Sequence, residues 1–460
     1  MLMARTLRRS TAFIASETAL IFGSVMLMAY TRTPQAGSPA ADFAMLLPRA
    51  LLIAFGCQLC LYARDLYEGR VSADRQEVLV RLLQALGVMS IAFSMIYTVF
   101  PSLVIGRGVF VGAVTLAAVL ILGWRGTLAW ARTQFGPHER LLLVGTNAGA
   151  LALASELCDR QDLGVDIVGF VEAESLHHDA VAATPVIGTV EDIPAIVRAR
   201  SVDRVVVSLS DARGKLPMDK LLEMKLDGVQ FAHLTTVYEE YTGKIAIDNL
   251  RPSWLIFSSG FNKTRLLKIA KRSLDITAAL AGIILSGPLQ LMVAAAVRLT
   301  SRGPVIYCQE RVGLNGQIFV MRKFRSMREN AEAATGAVWA RPKDDRVTPI
   351  GALLRRARLD ELPQLWNVLV GDMSLVGPRP ERPEFVTRLT HDIPFYGQRH
   401  VVKPGVTGWA QVRYTYGASD EDAMQKLQYD LFYIKHMSIW LDLYIMLRTV
   451  KVVLLGRNAC

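Results

Sequence analysis

The stretch Leu353–Glu381, LLRRARLDELPQLWNVLVGDMSLVGPRPE, is the most informative part of this 460-residue sequence. It combines arginines, an adjacent acidic pair and the rigid turn Gly-Pro-Arg-Pro in one short run. Its first apolar residues recur at helical spacing, and this pattern predicts a helix that carries Arg355, Arg356 and Arg358. These arginines are close enough in sequence to pair with the acidic residues that follow.

The acidic pair, Asp360 and Glu361, is expected at a junction between two helices. Pro363 cannot continue the first helix, but it suits the first turn of a second one, Gln364–Val370. Side chains at such a junction are held firmly, and a ligand can still reach them.

The chemistry of the pair has two interpretations. Adjacent carboxylates repel each other unless a cation lies between them. Mg²⁺ with a diphosphate substrate would supply that cation, because Mg²⁺ prefers carboxylate and phosphate oxygens. A solvated acidic helix end that pairs with the nearby arginines fits the spacing equally well, so the residues alone leave both interpretations open.

Other motifs follow in an order that matches a known family. Leu353–Glu381 resembles the catalytic core of the bacterial sugar transferases, which are polyprenyl-phosphate hexose-1-phosphate transferases (phosphoglycosyl transferases), in their large form. The resemblance covers about residues 260–460. It also rests on these runs: Lys271-Arg272-x-x-Asp275, Gly303-Pro304-Val305, Gln309–Gly313, Lys323–Met327, Lys403–Val412 and Trp440–Leu443. Val338–Arg341 and Arg413–Ala418 further resemble the branch found with exosortase/PEP-CTERM exopolysaccharide clusters.

The resemblance implies an activity and assigns roles. The implied enzyme transfers hexose-1-phosphate from a UDP-sugar to undecaprenyl phosphate, releases UMP and initiates exopolysaccharide biosynthesis. Asp360 is then the nucleophile that forms a phosphosugar–aspartyl intermediate, and Glu361 is the ligand of a Mg²⁺ cofactor. Glucose is the favoured sugar, with galactose as the alternative. The implied substrate-binding residues are Lys323, Arg325, Arg358, Arg379, Gln411 and Arg413.

The composition indicates a membrane protein with anionic partners. Hydrophobic residues make up 52% of the chain, the net charge is +11 and the mean hydropathy is +0.29. That charge fits anionic lipid and anionic substrates. Nucleic acid is disfavoured because the basic residues flank apolar stretches and form no free basic face. The five scattered cysteines predict no disulfide framework, and Cys57-x-x-Cys60 is interpreted as packing.

Residues 1–132 are predicted to be a region of four transmembrane helices. Apolar runs at about 11–30, 44–62, 82–100 and 108–124 are long enough to cross a bilayer. Glu17 and Arg49 lie in or near the first two runs, where a charged residue either functions or pairs. Loop arginines place the segment after Trp124 in the cytoplasm. The predicted location is the bacterial inner membrane, with the catalytic domain on its cytoplasmic side.

Residues 139–250 are predicted to be a Rossmann-like domain. Strand-like runs at 140–144, 167–171 and 204–209 alternate with helical runs, which implies a parallel sheet. The loop Gly145–Gly149 could bring a phosphate to a helix N-terminus, but it lacks the full Gly-x-Gly-x-x-Gly fingerprint. The domain resembles the CoA-binding-like module of large family members, and scaffolding is preferred over ligand binding.

Residues 263–302 are predicted to be a re-entrant membrane helix. The apolar run at 276–299 could span a bilayer, but basic residues flank both of its ends, so both should be cytoplasmic. Pro288 removes a helix hydrogen bond near the middle, and together with Ser286 it marks the expected break. The family usually has Ser-Pro at this break, whereas here Gly287 precedes Pro288. Lys271 and Arg272 are then expected to face lipid headgroups or the lipid phosphate.

Residues 303–460 are predicted to be a compact mixed α/β catalytic domain. Two short strands joined by a hairpin-like turn place Lys323 and Arg325 on one face, near the acidic pair. Prolines on both sides restrict Arg379 for bidentate phosphate binding. Gln411 follows a turn that could line a nucleotide or lipid pocket. The run at 440–455 is predicted to be an amphipathic helix that lies on the membrane.

Two other functions were weighed against the transferase. A membrane-anchored nucleotide-sugar dehydratase or epimerase would need a Tyr-x-x-x-Lys pair, and no tyrosine here has lysine four residues on. A membrane-anchored nucleotide-sensing regulator of polysaccharide synthesis would use the Gly145 loop, but the intact acidic pair and Gly-Pro-Arg-Pro turn argue against it. The predicted partners are a UDP-sugar, undecaprenyl phosphate, membrane lipids and a second copy of the chain in a homodimer, with no nucleic acid.

Overall fold

The chain folds into two compact units, residues 1–242 and 243–460. The structure is a computed structural model. It describes residues 2–32, 39–67, 75–135, 139–158, 164–172, 185–208, 218–247, 258–261, 263–329, 331, 344–414, 417 and 419–454. The run Val338–Arg341 and most of residues 415–418, which carried the resemblance to the exosortase branch, lie outside the described residues.

The first unit begins with long apolar helices. Each contains a segment that is long and apolar enough to cross a bilayer. The helices are α1 (Leu2–Arg32), α2 (Pro39–Ala63), α3 (Arg75–Val99) and α4 (Arg107–Phe135). They pack around a shared core that includes Ile21, Leu61, Leu82 and Ile121, one residue from each helix. The predicted helices are therefore present, and their number as membrane crossings stays a prediction.

A buried ion pair joins the first and last of these helices. Glu17 is fully buried, and its carboxylate accepts hydrogen bonds from the Arg125 guanidinium at 2.7 Å and from the Tyr67 hydroxyl at 2.6 Å. The Arg125 guanidinium also lies over the rings of Phe13 and Tyr67. The two interpretations of Glu17 were function or pairing, and the structure shows pairing.

The Rossmann-like domain follows, and its sheet is entirely parallel, as predicted. The strand order is β3-β2-β1-β4-β5, and a helix follows each of β1, β3 and β4 before the next strand in the chain. The elements are β1 (Glu139–Val144), α5 (Ala148–Cys158), β2 (Val165–Glu172), β3 (Val186–Thr189), α6 (Ile193–Arg200), β4 (Arg204–Val207), α7 (Met218–Leu226), β5 (Gln230–His233) and α8 (Leu234–Thr242). Residues of the three central strands, including Leu142, Val171 and Val205, are buried, as expected where helices cover a parallel sheet.

The loop after β1 is closed by its own side chains. The Asn147 side-chain oxygen accepts hydrogen bonds from the Ala150 amide and from the Ser208 hydroxyl, and its NH₂ group donates to the Ser208 carbonyl. The Thr146 hydroxyl donates to Glu172 at 2.5 Å. These bonds fix the conformation of the loop, and the choice between scaffolding and ligand binding stays a prediction.

The second unit is built on one long helix, α9 (Arg265–Thr300). Pro288 lies inside this helix, which is assigned as helical throughout. The helical assignment therefore runs through the predicted break, and a bend of the axis at Pro288 stays a prediction. The Ser286 hydroxyl donates to the Gly282 carbonyl and accepts from the Gln290 amide. The re-entrant path itself stays a prediction.

Both halves of α9 contact the same domain. Ala279 belongs to a buried cluster with Met321 and Val368, whereas Val297 belongs to a cluster with Phe324. Met321 and Phe324 lie on one strand, roughly 10 Å apart at the rise of an extended chain. The two halves of the helix are thus anchored to neighbouring positions of one small sheet.

The remaining elements form the mixed α/β domain that the sequence predicted. Strands β6 and β7 are an antiparallel hairpin, and β8 and β9 form a short parallel pair. The elements are β6 (Ile306–Val312), β7 (Ile318–Phe324), α10 (Pro349–Arg356), α11 (Gln364–Val370), β8 (Ser374–Val376), α12 (Pro383–Asp392), β9 (Gly405–Thr407), α13 (Trp409–Arg413), α14 (Asp420–His436) and α15 (Ile439–Leu454).

Helix α15 has one packed face and one exposed apolar face. Leu441 and Ile445 are buried against the domain, and Trp440, Leu447 and Val450 are exposed. Large apolar side chains on an exposed helix face indicate a surface that something else covers. This amphipathic pattern matches the prediction, and contact with the membrane stays a prediction.

Candidate active site

The acidic pair lies at a sharp junction between α10 and α11. Helix α10 ends at Arg356, and Arg358 has a φ of 55°, in the left-handed region that non-glycine residues rarely adopt. A 3₁₀ turn, Leu359–Glu361, then carries the two carboxylates. The predicted junction is confirmed, but Arg358 lies outside the helix on which the periodicity placed it.

Glu361 is surrounded by three cationic side chains. Its Oε1 accepts a hydrogen bond from Arg379 at 2.7 Å and lies 3.8 Å from the Lys323 ammonium. Its Oε2 lies 3.8 Å from Arg358. The Glu361 side chain is only 11% exposed. The structure therefore brings four of the predicted site residues together around one carboxylate, with different cations at its two oxygens.

The cations fix the charge of Glu361. Burial by itself raises the pKa of this carboxyl, but Arg379, Lys323 and Arg358 outweigh burial and hold the pKa at about 2. For Lys323, burial has a larger effect on the pKa than the charge of Glu361. Burial lowers the pKa of Lys323 to about 8, and the neighbouring Arg379 and Arg311 add to this effect against the pull of Glu361.

Asp360 is buried, at 9% exposure, and is adjacent to this charged Glu361. Burial and the Glu361 charge raise the pKa of Asp360 above its usual value. Lys323, Arg355 and Arg379 act against that rise and stabilise the ionised form. The sequence prediction did not include Arg355 among the substrate-binding residues. Its Nε is fixed by a hydrogen bond to Ser326 at 2.9 Å.

Arg379 is held by the backbone of its own turn. The Gly377 amide donates to the Thr407 carbonyl, and the Gly405 amide donates to the Pro378 carbonyl, so the turn is tied to strand β9. A Cβ at Gly377 would lie 2.4 Å from the Lys403 carbonyl oxygen, which explains why a residue without a side chain occupies this position. The predicted pre-organisation of the Gly-Pro-Arg-Pro turn is thus visible in its hydrogen bonds.

A buried ion pair behind the turn escaped the sequence analysis. The Arg399 guanidinium donates to the Arg379 carbonyl at 2.8 Å, to Asp430 at 2.8 Å and to the Tyr396 hydroxyl at 2.6 Å. Arg399 and Asp430 are separated by 31 residues and belong to different elements. No spacing rule could have paired them, because only the tertiary fold brings them together.

An open groove adjoins Glu361. Gln411, another predicted site residue, lies in its wall. We use "the groove" for the site lined by Arg358, Glu361, Leu362, Leu365, Val406, Thr407, Gln411, Val412, Thr449 and Val452.

Comparison with known proteins decides the family. Residues 266–456 match the bacterial sugar transferase family, and residues 62–222 match a CoA-binding domain. A UDP-glucose:undecaprenyl-phosphate glucose-1-phosphate transferase of Xanthomonas campestris is 33% identical over 365 residues, which cover 76% of this chain and 73% of that protein. The chain belongs to the bacterial sugar transferase family.

Other family members match over shorter regions. A UDP-N-acetylgalactosamine-undecaprenyl-phosphate N-acetylgalactosaminephosphotransferase of Aeromonas hydrophila is 43% identical over 49% of this chain, and the match spans about half (53%) of that relative. A UDP-glucose:undecaprenyl-phosphate glucose-1-phosphate transferase of Caulobacter vibrioides is 44% identical over 193 residues, which are 42% of this chain and 72% of that protein. The Caulobacter relative is therefore the shorter of the two chains.

Two predicted substrate-binding residues lie away from Glu361. Strand β7 ends at Phe324, and the Arg325 guanidinium turns to the carbonyl and hydroxyl of Ser301. The predicted common face of Lys323 and Arg325 is therefore wrong. Arg413 lies over the ring of Trp409, 4.9 Å from its centre. Trp409 itself is buried and donates to the Gly243 carbonyl, so it is a core residue of this sugar transferase domain.

The basic pair at the start of α9 also points inward, contrary to the prediction. The Lys271 ammonium donates to Asp442 at 2.7 Å and to the Val376 carbonyl at 2.9 Å. Arg272 donates to the carbonyls of Val368 and Leu369 at the end of α11, where a cation is favoured by the helix dipole. Both head groups therefore stabilise the domain, and neither faces lipid.

The acidic pair fits a magnesium ion only together with a substrate. Within the described residues there is no group of three or more His, Cys, Asp or Glu side chains that could hold a metal. Mg²⁺ is commonly bound by one or two carboxylates plus substrate phosphates. Asp360 and Glu361 can supply those carboxylates.

Proposed function

We propose that this chain transfers a hexose-1-phosphate from a UDP-sugar to undecaprenyl phosphate and releases UMP. One observation carries the proposal: the buried Asp360 lies beside a permanently ionised Glu361, and both lie among cations suited to a diphosphate. Membership of the sugar transferase family supports the same reaction. Initiation of an exopolysaccharide follows if later enzymes extend the lipid-linked sugar.

The reaction proceeds in two displacements. An Asp360 carboxylate oxygen attacks the sugar-bearing phosphorus, a bond from that oxygen to phosphorus forms, and the bond to the UMP oxygen breaks. A phosphate oxygen of the acceptor then attacks the same phosphorus and displaces the Asp360 carboxylate. A carboxylate nucleophile is already ionised at neutral pH and divides one difficult step into two. The lipid diphosphate sugar is the product.

The cations around Glu361 stabilise the transferring group. Arg379 is pre-organised by its turn, so it can bind phosphate oxygens with little loss of side-chain freedom. Lys323 and Arg379 neutralise charge that develops on the phosphoryl oxygens. Mg²⁺, held by Glu361 and phosphate oxygens, would add a further positive charge that stabilises the departing UMP.

Glucose is the proposed sugar, and the inner membrane is the proposed location. The Xanthomonas and Caulobacter relatives are named for UDP-glucose, whereas the Aeromonas relative is named for UDP-N-acetylgalactosamine. The apolar helices α1 to α4 and the loop arginines favour an inner-membrane protein with a cytoplasmic catalytic domain. A homodimer stays a prediction.

The test is UMP release from protein in nanodiscs with Mg²⁺, undecaprenyl phosphate and a panel of UDP-sugars. Release with UDP-glucose that is lost in Asp360→Asn supports both the reaction and the nucleophile. Asn is nearly isosteric with Asp, so the fold should persist, which a thermal unfolding curve checks. Absence of UMP with every sugar, or full activity in Asp360→Asn, would overturn the proposal.

A further inference from the structure

The groove beside Glu361 is charged at one end and apolar along most of its wall. Arg358 and Glu361 lie at the charged end. The rest of the wall is mainly aliphatic, from Leu362, Leu365, Val406, Val412 and Val452. A ligand that fits has an anionic head and a hydrocarbon body.

Few polar groups in the wall are free to bind a ligand: among the described residues the Gln411 side-chain oxygen is buried without a hydrogen-bond partner, and others bond to each other. The hydroxyls of Thr407 and Thr449 share a hydrogen bond of 2.6 Å, and the Gln411 amide nitrogen donates to the Val406 carbonyl at 3.2 Å. A nucleotide sugar in this groove has many more polar groups than the Gln411 oxygen can pair, and each group buried without a partner costs roughly 1–3 kcal/mol. A hydrocarbon chain needs no such partners.

The groove also borders surfaces suited to lipid. Thr449 and Val452 line it from α15, and on the same helix Leu447 and Val450 are 63% and 56% exposed. Leu365 extends from the groove to α9, where a Cβ at Gly282 would lie 3.0 Å from its Cδ1. Exposed apolar side chains on α9 include Ile284, Leu285, Leu291 and Met292. A hydrocarbon chain can therefore reach the groove without crossing a polar surface.

The cations around Glu361 differ in their relation to the groove. Arg358 lines the groove and comes closest to Oε2, whereas Arg379 and Lys323 do not line it and come closest to Oε1. The UDP-sugar and the lipid phosphate are both anionic and must meet at Asp360. Each can be bound by a different group of these cations. The Arg379 and Lys323 side suits the diphosphate of the donor, and the Arg358 side suits a single phosphate.

We infer that the groove binds the lipid acceptor, with its phosphate at Arg358 and its first isoprene units along Leu362, Val406, Val412 and Val452. The inference rests on the proposed function, which makes the acceptor a polyprenyl phosphate. It assigns the acceptor to one side of Glu361 and leaves the other side to the UDP-sugar.

A matched pair of substitutions on α15 tests this assignment. Val452→Trp fills the groove, whereas Val450→Trp adds the same side chain on the exposed face of the same helix. Excluding even one isoprene unit removes apolar burial worth about a tenfold increase or more in KM for undecaprenyl phosphate. We expect that increase in Val452→Trp with an unchanged KM for UDP-glucose, and wild-type values of both in Val450→Trp.

Other outcomes separate the inference from the proposed function. An unchanged acceptor KM in an active Val452→Trp enzyme, or a rise only in the KM for UDP-glucose, overturns the groove assignment and leaves the proposed reaction intact. Wild-type protein that releases no UMP with any donor overturns the proposed reaction itself.

A measurement on the wild-type protein covers the case in which Val452→Trp does not fold. A polyprenyl phosphate with a diazirine in its first isoprene units is photolysed on the protein in nanodiscs, and the labelled peptides are mapped by mass spectrometry. We expect label between Val406 and Val412 or on α15, displaced by excess undecaprenyl phosphate. Displaceable label confined to α9, or label that undecaprenyl phosphate does not displace, contradicts the inference.

Discussion

A single carboxylate organises the charges of this site. Glu361 is ionised at every ordinary pH because three cations outweigh the effect of its burial on its pKa. Its charge acts on each neighbour in turn: together with burial it raises the pKa of Asp360, and it opposes the burial that lowers the pKa of Lys323 to about 8. The site can therefore lose a positive charge close to physiological pH, which makes Lys323 the residue whose titration should be visible in activity.

Lys323→Arg tests this titration. Lys323 is cationic below a pKa of about 8 and loses its charge as the pH rises through that value, so kcat/KM for UDP-glucose should fall on the alkaline side. Arginine cannot lose its proton in this range, so in Lys323→Arg the alkaline fall should move up by roughly one pH unit or more. The measurement is UMP release from pH 6 to pH 10. An alkaline fall at the same pH in both proteins would show that another group titrates.

A second prediction concerns the buried pair behind Arg379. Arg399→Leu leaves Asp430 buried without its partner, which should lower the free energy of unfolding by about 3–5 kcal/mol. Arg399→Leu combined with Asp430→Leu removes both charges and should regain most of that stability. Activity should stay low in the double variant, because the hydrogen bond from Arg399 to the Arg379 carbonyl is absent.

Thermal unfolding and UMP release on the same preparations check both parts of this prediction. If the double variant regains activity together with stability, Arg399 serves the fold alone and does not position Arg379. If the single variant unfolds at the wild-type temperature, the buried pair contributes little to stability.

At the scale of elements, α9 is the helix whose path matters most. Its length and hydropathy are those of a membrane span, yet both halves contact one small domain. A straight 36-residue helix would be roughly 54 Å long, which exceeds the thickness of a bilayer core. If such a straight helix crossed the membrane, its two ends would lie on opposite sides. That arrangement conflicts with the contacts that both halves of α9 make with one domain.

Cysteine labelling tests the path of α9. Leu266 and Leu299 lie near opposite ends of the helix and are 77% and 85% exposed. Leu266→Cys and Leu299→Cys, each in a background without native cysteines, should both react with a membrane-impermeant maleimide from the cytoplasmic side only. Inverted and right-side-out vesicles provide the two sides for comparison. Reaction of the two positions from opposite sides would establish a crossing helix.

At the scale of the molecule, the site belongs to the second unit. Every residue of the acidic pair, its cations and the groove lies within residues 243–460. The first unit contributes helices α1 to α4 and a parallel sheet. The loop after β1 of that sheet is held by hydrogen bonds of the Asn147 side chain. The candidate site thus lies wholly in the second unit, which also contains the apolar helix α9.

This separation predicts that the second unit acts alone. A fragment of residues 243–460 in nanodiscs should release UMP from UDP-glucose with a KM within about threefold of the whole protein, since its site is complete. The Caulobacter relative, which is shorter than this chain, matches it over 193 residues. Purified fragment that is folded by circular dichroism but inactive would show that the first unit contributes to the site.

The sequence by itself determined the local features. The acidic junction before Pro363, the restricted Arg379 turn, the apolar helices and the alternation of strands and helices all depend on short-range rules for helix ends, prolines and periodicity. These rules act over a few residues, so they can be read without knowing the fold. They also carried the family resemblance that the comparisons confirm.

Only the tertiary structure decided which charges meet. Lys323 and Arg325 look alike in sequence, but β7 ends between them, so Lys323 reaches Glu361 and Arg325 turns to Ser301. Lys271 likewise donates to Asp442, 171 residues away. The fold excludes water there, so the two charges pair with each other. Contacts of this kind depend on where distant elements pack, and no local pattern in the chain encodes them.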